Sequence, residues 1–174
     1  MLDLILSSLY LILPAYFANM APLLATKLNL PFGNPINKKA LGKNKTYRGF
    51  IFGYIAALII LIIQAYFEKQ GLFTNHTIIK YSYLMAPFYA FLLGIGALTG
   101  DTIKSFLKRK FNKKPGSSWP PFDQIDFILG AYIFLSPFFC IPWEVLLTLL
   151  IITPLLHFLA NVIAYLIGLK KVWW

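Results

Sequence analysis

Three aspartates carry carboxylates that could bind a metal ion or act in catalysis. They stand out because the chain has only six acidic residues. Asp123 and Asp126 are three positions apart, so on a helix that begins after Pro121 their carboxylates share one face and are able to bind one hard cation. Asp101 belongs to a different segment of the chain. We predict that these three carboxylates are catalytic and bind one metal ion.

Helix capping is the alternative interpretation of the later two carboxylates. Asp123 follows Pro-Pro-Phe and could act as the N-cap of a helix, with Asp126 at the N3 position, and such a cap needs no metal. Capping does not explain Asp101, so metal binding accounts for more of the pattern.

Basic residues accompany the carboxylates, a combination that suits a phosphate substrate carrying a metal. Mg²⁺ takes one or two protein carboxylates and completes its octahedron with water and phosphate oxygens, while Lys and Arg neutralise the remaining phosphate charge. We therefore predict that Lys104 is catalytic, that Lys108 binds substrate, and that Mg²⁺ is the cofactor.

A second basic segment, residues 42–49, mixes glycines with side chains that donate hydrogen bonds to phosphate oxygens. We predict substrate contacts from three of its residues: Lys45, Thr46 and Arg48. The alternative is that basic residues only set membrane topology or hold anionic lipid headgroups. We adopt that alternative for five others: Lys38, Lys39, Lys110, Lys113 and Lys114.

Several familiar sites are excluded. The segment is no Walker A loop, because Asn37 stands where the first glycine belongs. His76 and His157 are isolated, and neither a zinc signature nor a nucleophile elbow is present. Asn19, between Pro14 and Pro22, is either an interhelical hydrogen-bonding residue of a kinked helix or a weaker candidate for substrate binding.

The elements that must position these residues are membrane helices. The chain of 174 residues is 59% hydrophobic and 13% charged, against roughly 25% charged in soluble domains. Four long runs with almost no charged residue each suffice to cross a bilayer, and a fifth run, 127–143, has 17 residues and is at the short limit of a span. We predict an all-α polytopic membrane protein, a single catalytic domain over residues 1–174, with five spans at about 2–24, 49–67, 81–100, 126–142 and 145–169. Two functional cytoplasmic loops follow, at about 25–48 and 101–125.

The net charge of +10 is explained by topology rather than by nucleic-acid binding. Most cations fall in the two loops or after the last span, and a five-span arrangement puts all three segments on one side. The positive-inside rule then predicts a multi-pass cell-membrane protein with its N-terminus outside and its C-terminus cytoplasmic.

The polar residues resemble the CDP-archaeol synthase family. The resemblance is carried by residues 14–19 with Pro22, by residues 42–49, by residues 100–109, and by Lys114-Pro115-Gly116, Trp119 and Asp123-Gln124-Ile125-Asp126. Bacterial CDP-diacylglycerol synthases are more distantly similar. Relative to them the chain lacks a His-Gly-Gly motif, has Gln124 where arginine is usual, and has fewer spans.

The resemblance implies transfer of CMP from CTP to 2,3-bis-O-geranylgeranylglyceryl phosphate, giving unsaturated CDP-archaeol and pyrophosphate. CTP, the isoprenoid ether-lipid phosphate and membrane lipid are then the partners, with no nucleic acid. The choice of base and lipid tail is implied by the resemblance alone. Two alternatives are a small transporter or channel lined by Asn19, Gln64 and Asn161, and a polyprenyl-phosphate phosphoglycosyl transferase.

Overall fold

The computed structural model describes residues 1–113 and 119–166. That part of the chain forms five long helices: α1 (Leu2–Lys27), α2 (Tyr47–Lys69), α3 (Ala86–Lys110), α4 (Phe122–Leu135) and α5 (Trp143–Leu166). A short 3₁₀ turn, Thr74–His76, lies between α2 and α3. The described residues contain no strand beyond one isolated bridge between Pro35 and Thr46. The predicted all-α class is confirmed.

Three of the described helices are long and apolar enough to cross a membrane: α1, α2 and α3. They cover most of the first three predicted spans. Helix α5 contains a shorter apolar stretch, Trp143–Leu159. Residues 167–169, the end of the predicted fifth span, lie outside the described residues, as do Lys114 and the cations after that span.

The predicted fourth span, 126–142, differs from the structure. Helix α4 begins at Phe122 and ends at Leu135, so it has 14 residues and a length of about 21 Å. The hydrocarbon core of a bilayer is roughly 30 Å thick. Pro137, two residues beyond Leu135, accounts for the early end, because proline has no N–H to donate to the next helical hydrogen bond.

Helix α3 extends beyond the predicted end of the third span. Residues 101–110, predicted as the start of a loop, continue the helix without interruption. Residues three, four and seven positions apart share one helix face. Asp101, Lys104 and Lys108 therefore point to the same side of α3. Upstream, residues Ala90–Ile95 form a π-helical turn.

Pro14 lies inside α1 and has no N–H, so the carbonyl of Tyr10 loses its helical partner. Gln64 of α2 replaces that partner: its Nε2 donates to the Tyr10 oxygen over 2.7 Å. The Gln64 side chain is 1% exposed. A polar residue within an apolar span thus joins α1 to α2.

Helices α3 and α4 approach each other through glycines. A Cβ atom added at Gly100 would lie 2.2 Å from the backbone oxygen of Asp126, and one added at Gly130 would lie 2.2 Å from that of Gly96. Small residues permit this close approach of backbones, as in other membrane helix pairs. The contact brings Asp101, next to Gly100, beside Asp126.

Candidate active site

The ammonium group of Lys104 lies among the three predicted carboxylates. Its Nζ atom is 3.0 Å from Asp101 Oδ1, 3.2 Å from Asp123 Oδ1 and 2.6 Å from Asp126 Oδ2. The side chain is 14% exposed, so these ion pairs are shielded from water. The structure therefore brings together the four residues predicted to be catalytic, with Lys104 at the centre.

Lys45 reaches the same group from the loop between α1 and α2. Its ammonium contacts the second oxygen of Asp101. The loop folds back on itself to place it: the N–H of Ile36 donates to the carbonyl of Lys45 over 2.9 Å, and that of Tyr47 donates to Asn34 over 3.2 Å. Two distant segments thus meet at one carboxylate.

Asp123 is held from two directions. Lys108 Nζ lies 2.6 Å from its Oδ1, and the backbone N–H of Trp119 donates to its Oδ2 over 2.5 Å. Burial raises the pKa of Asp123, but the hydrogen bonds from Lys108, Trp119 and Lys104 outweigh burial, so the pKa falls below its ordinary value. The carboxylate is ionised at neutral pH.

The capping alternative for Asp123 does not match the geometry. Helix α4 begins at Phe122 with Pro121 in the N-cap position and no side-chain cap. Asp123 and Asp126 are inside the helix instead. Their carboxylates face Lys104 rather than the free N–H groups of the first turn.

Two of the residues predicted to contact substrate, a role that stays a prediction, also have structural contacts. Thr46 is the N-cap of α2, and its hydroxyl accepts from the N–H of Gly49 over 3.2 Å. Arg48 is 9% exposed, and its Nη1 donates to the carbonyl of Leu30 over 2.6 Å. Its Nη2 lies 3.5 Å from the hydroxyl of Thr26. Arg48 thus fastens the start of the loop to α2.

Asn19 is half-buried in α1 and lines a small hollow of about 50 Å³. The same hollow is lined by Lys45, Thr46 and Asp101. Of the two interpretations of Asn19, the position beside the polar site is the one that the structure supports.

A larger, basic hollow of about 120 Å³ is lined by Lys104 and Lys108. Its remaining lining comes from residues 41–45 and from α3: Leu41, Gly42, Lys43, Asn44, Lys45, Ser105 and Arg109. Sequence reasoning did not assign Lys43, Asn44, Ser105 or Arg109 to the site. The sequence signal that could have identified these four residues is their position next to the predicted site residues.

The donor set suits Mg²⁺ only in part. Aspartate oxygens are the ligands that Mg²⁺ prefers, and it needs one or two of them. Oδ1 of Asp126 is buried without a hydrogen-bond partner among the described residues. Within that same part of the chain, no three Asp, Glu, His or Cys side chains are grouped so as to hold a metal ion by themselves. A site of two carboxylates fits the geometry better than the predicted three, which stay a prediction.

The transporter alternative has little support. Gln64 is bonded to the Tyr10 carbonyl and lines none of the hollows described above. The Asn161 side chain lies outside the described residues. Asn19 faces the charged cluster rather than an apolar path.

Comparison with known proteins identifies what the chain resembles. It is 42% identical over 186 residues to the CDP-archaeol synthase of Methanococcus vannielii, covering 100% of this chain and 99% of that protein. The CDP-archaeol synthase of Pyrococcus horikoshii is 39% identical over 180 residues, covering 98% and 97%. That of Methanocaldococcus jannaschii is 34% identical over 178 residues, covering 98% of each.

A solved structure of an intramembrane enzyme for archaeal membrane lipids biosynthesis superposes with a TM-score of 0.68 at 27% identity, covering 88% of this chain and 91% of that one. Residues 1–174 match the family described as CarS-like, CDP-archaeol synthase. The resemblance seen in the polar motifs is confirmed. The chain belongs to the CDP-archaeol synthase family.

Proposed function

We propose that this membrane enzyme transfers CMP from CTP to 2,3-bis-O-geranylgeranylglyceryl phosphate, giving unsaturated CDP-archaeol and pyrophosphate. Family membership supports the reaction class. The structural observation that supports it best is the position of Lys104, which contacts three carboxylates and also lines the basic hollow. Carboxylates for a metal and cations for phosphate thus adjoin at one point.

In the proposed reaction an oxygen of the lipid phosphate attacks the α-phosphorus of CTP. The bond from that phosphorus to the oxygen bridging to the β-phosphate breaks, and pyrophosphate leaves with the bonding electrons. The lipid phosphate is already anionic at neutral pH, so no strong base is required. The demand is to bring two anions together and to stabilise the charge that develops on the leaving group.

The chain's own residues meet that demand as follows. Lys45 and Lys108 lie beside the basic hollow and neutralise nucleotide phosphate charge there. Lys104 contacts the reacting phosphates when it leaves the carboxylates. Asp126 with Asp101 or Asp123 would hold Mg²⁺, which supplies polarisation of the α-phosphate when bound. Thr46 and Arg48 shape the loop, and Asn19 lines the same small hollow as Lys45.

We also propose the five-span topology with the N-terminus outside and the basic loops and C-terminus cytoplasmic. The segregation of cations supports this orientation. Helix α4 is too short to cross by itself, so in this arrangement the fourth passage is completed by the proline-containing residues 136–142. Such backbone is tolerated at membrane depth only where protein or a water-filled cavity covers it.

The reaction is tested with purified full-length protein and Mg²⁺ by measuring pyrophosphate release. Each nucleoside triphosphate is combined with either the geranylgeranyl-ether phosphate or a diacyl phosphatidate. Turnover should require CTP and favour the ether lipid. Asp101→Asn should abolish turnover, whereas Asp3→Asn, a matched change at the exposed N-terminus, should not. No pyrophosphate release with any triphosphate, together with release of nucleoside monophosphate from a nucleotide sugar and polyprenyl phosphate, would replace cytidylyl transfer by phosphoglycosyl transfer.

A further inference from the structure

An apolar groove of about 260 Å³ runs between α3 and α4. Ile103 and Leu107 of α3 form one wall, and Ile125, Leu129 and Ile133 of α4 form the other. Trp119 and Phe122 lie at the cytoplasmic end. Ile133 is 63% exposed, so the far end of the groove opens towards the surrounding lipid.

The charged end of the groove is the active-site cluster. Lys104 and Asp126 line the groove, and Lys104 also lines the basic hollow on its other side. A phosphate at Lys104 therefore has an apolar channel on one side and cations for a triphosphate on the other. An amphipathic anion matches this arrangement of charge and apolar surface.

Resting on the proposed function, we propose that the α3–α4 groove binds one isoprenoid chain of the lipid substrate, with the phosphate at Lys104. The groove is smaller than the roughly 300–1,000 Å³ of pockets that enclose whole ligands. It holds the part of the chain nearest the glycerol, and the rest of the chain continues past Ile133 into the bilayer. Isoprenoid methyl branches pack against the exposed aliphatic side chains of both walls.

A second apolar hollow lies between α1 and α2, with a volume of about 200 Å³. Its lining, which includes Leu24, Leu28, Phe52 and Ile59, has no charged residue and shares none with the carboxylate cluster. A chain bound there would not be aligned with Lys104 or with the carboxylates proposed to hold Mg²⁺, because none of those residues lines this hollow. Of the two apolar hollows, the α3–α4 groove is therefore the one that adjoins the predicted catalytic residues.

A pair of tryptophan substitutions tests the groove. Ile133 and Ile151 are both 63% exposed on apolar helices, but only Ile133 lines the groove. Ile133→Trp should raise the KM for the geranylgeranyl substrate about tenfold, the factor that corresponds to losing burial of roughly two methylene groups. The KM for CTP should not change. Ile151→Trp should leave both constants as in the wild type.

The length of the lipid's hydrocarbon chains gives a second comparison. Ile133 is seven residues beyond Asp126, about 10 Å along the helix, so an ether phosphate with chains of a few carbons does not reach it. Ile133→Trp should therefore leave the KM of that short analogue unaltered. Equal KM changes for both lipids, or equal effects of the two tryptophans, would overturn the proposal. Leu129→Phe provides a smaller change if the tryptophan variant folds poorly.

Photolabelling tests binding independently of turnover. A lipid phosphate with a diazirine on its first isoprene unit should label α3 or α4 residues of the wild-type protein, and labelling in the α1–α2 hollow would overturn the proposal. Excess unlabelled lipid phosphate should compete, whereas the same diether without phosphate should not. Equal competition by both would mean that bulk lipid fills the groove. Labelling as expected without turnover would instead reject the proposed reaction and keep the groove.

Discussion

Lys104 Nζ lies 2.6 Å from Oδ2 of Asp126, which belongs to the neighbouring helix. The same ammonium contacts Asp101 on its own helix at 3.0 Å. Because Lys104 uses the oxygens that a divalent cation needs, the two cations compete for them. Substrate phosphates resolve the competition if the ammonium turns towards them as Mg²⁺ binds.

The competition predicts how Mg²⁺ stabilises a variant without the ammonium. Lys104→Met keeps an unbranched chain but leaves three carboxylates facing one another, which should cost about 3 kcal/mol of unfolding free energy. Added Mg²⁺ should recover much of this loss, so the Mg²⁺-dependent rise in melting temperature should exceed that of the wild type. Lys110→Met, on the exposed side of the same helix, is the control. Equal Mg²⁺ shifts in all three proteins would contradict competition.

Asp123→Asn separates charge from hydrogen bonding. The amide oxygen can still accept the Trp119 N–H, but the charge beside Lys104 and Lys108 is lost. We expect activity to fall at least tenfold, on the order of losses seen when groups supporting a metal are removed. A variant that keeps wild-type activity would exclude Asp123 from the metal site.

The same variant makes a pH prediction. The pKa of Asp123 in the folded protein lies below its ordinary value of 3.8. Its ionised form therefore stabilises the fold above pH 3.8, and this contribution is lost as the pH falls through the folded pKa. The stability difference between wild type and Asp123→Asn should be present at pH 7 and should shrink below about pH 4 in thermal melts.

Arg48 should act through the loop rather than through phosphate. Arg48→Lys keeps the charge but cannot span the Leu30 carbonyl and the Thr26 hydroxyl as the planar guanidinium does. The variant should be cleaved faster by proteinase K within residues 28–46, and its KM for CTP should rise because Lys45 is less well placed. Lys39→Met is an exposed control in the same loop. Unchanged proteolysis with a higher KM would instead mean a direct phosphate contact.

The sequence predicted the apolar helices and the residues of the cluster, because composition and motif spacing are local properties. It did not predict that Lys104 would lie among Asp101, Asp123 and Asp126. That arrangement depends on the close packing of Gly100 against α4, which is a tertiary contact. Hydropathy also extended the fourth span to residue 142, although Pro137 indicated an earlier end of the helix.

The roles of Arg48 and Thr46 show a second limit. Donors next to glycine predict phosphate binding, but the same donors satisfy loop carbonyls and helix termini. Only the path of the loop decides between these uses. Gln64 was similarly ambiguous, since its partner is a carbonyl freed by Pro14 on another helix.

The topology is tested by cysteine labelling in whole cells. Cys140, the single native cysteine, is first changed to serine. Cysteines at Lys43 and Lys110 should then react with a membrane-impermeant reagent only after permeabilisation. A cysteine at Asn75, between α2 and α3, should react in intact cells. Labelling of positions 43 and 110 from opposite sides would reject the five-span orientation.

Gly100 should tolerate a methyl group poorly, because the added Cβ would lie 2.2 Å from the Asp126 backbone oxygen. A backbone atom cannot rotate away as a side chain can, so Gly100→Ala must push α3 and α4 apart. We expect a loss of about 2 kcal/mol in unfolding free energy, typical of overpacking. Separation of the helices also moves Asp101 away from Asp126. Turnover measured well below the melting temperature, where the variant is still folded, should therefore also fall. Gly33→Ala is the control, since its added Cβ would meet the Arg48 guanidinium at 3.4 Å, an ordinary van der Waals distance. If Gly100→Ala has the same melting temperature and the same turnover number as Gly33→Ala, the glycine contact does not position the site.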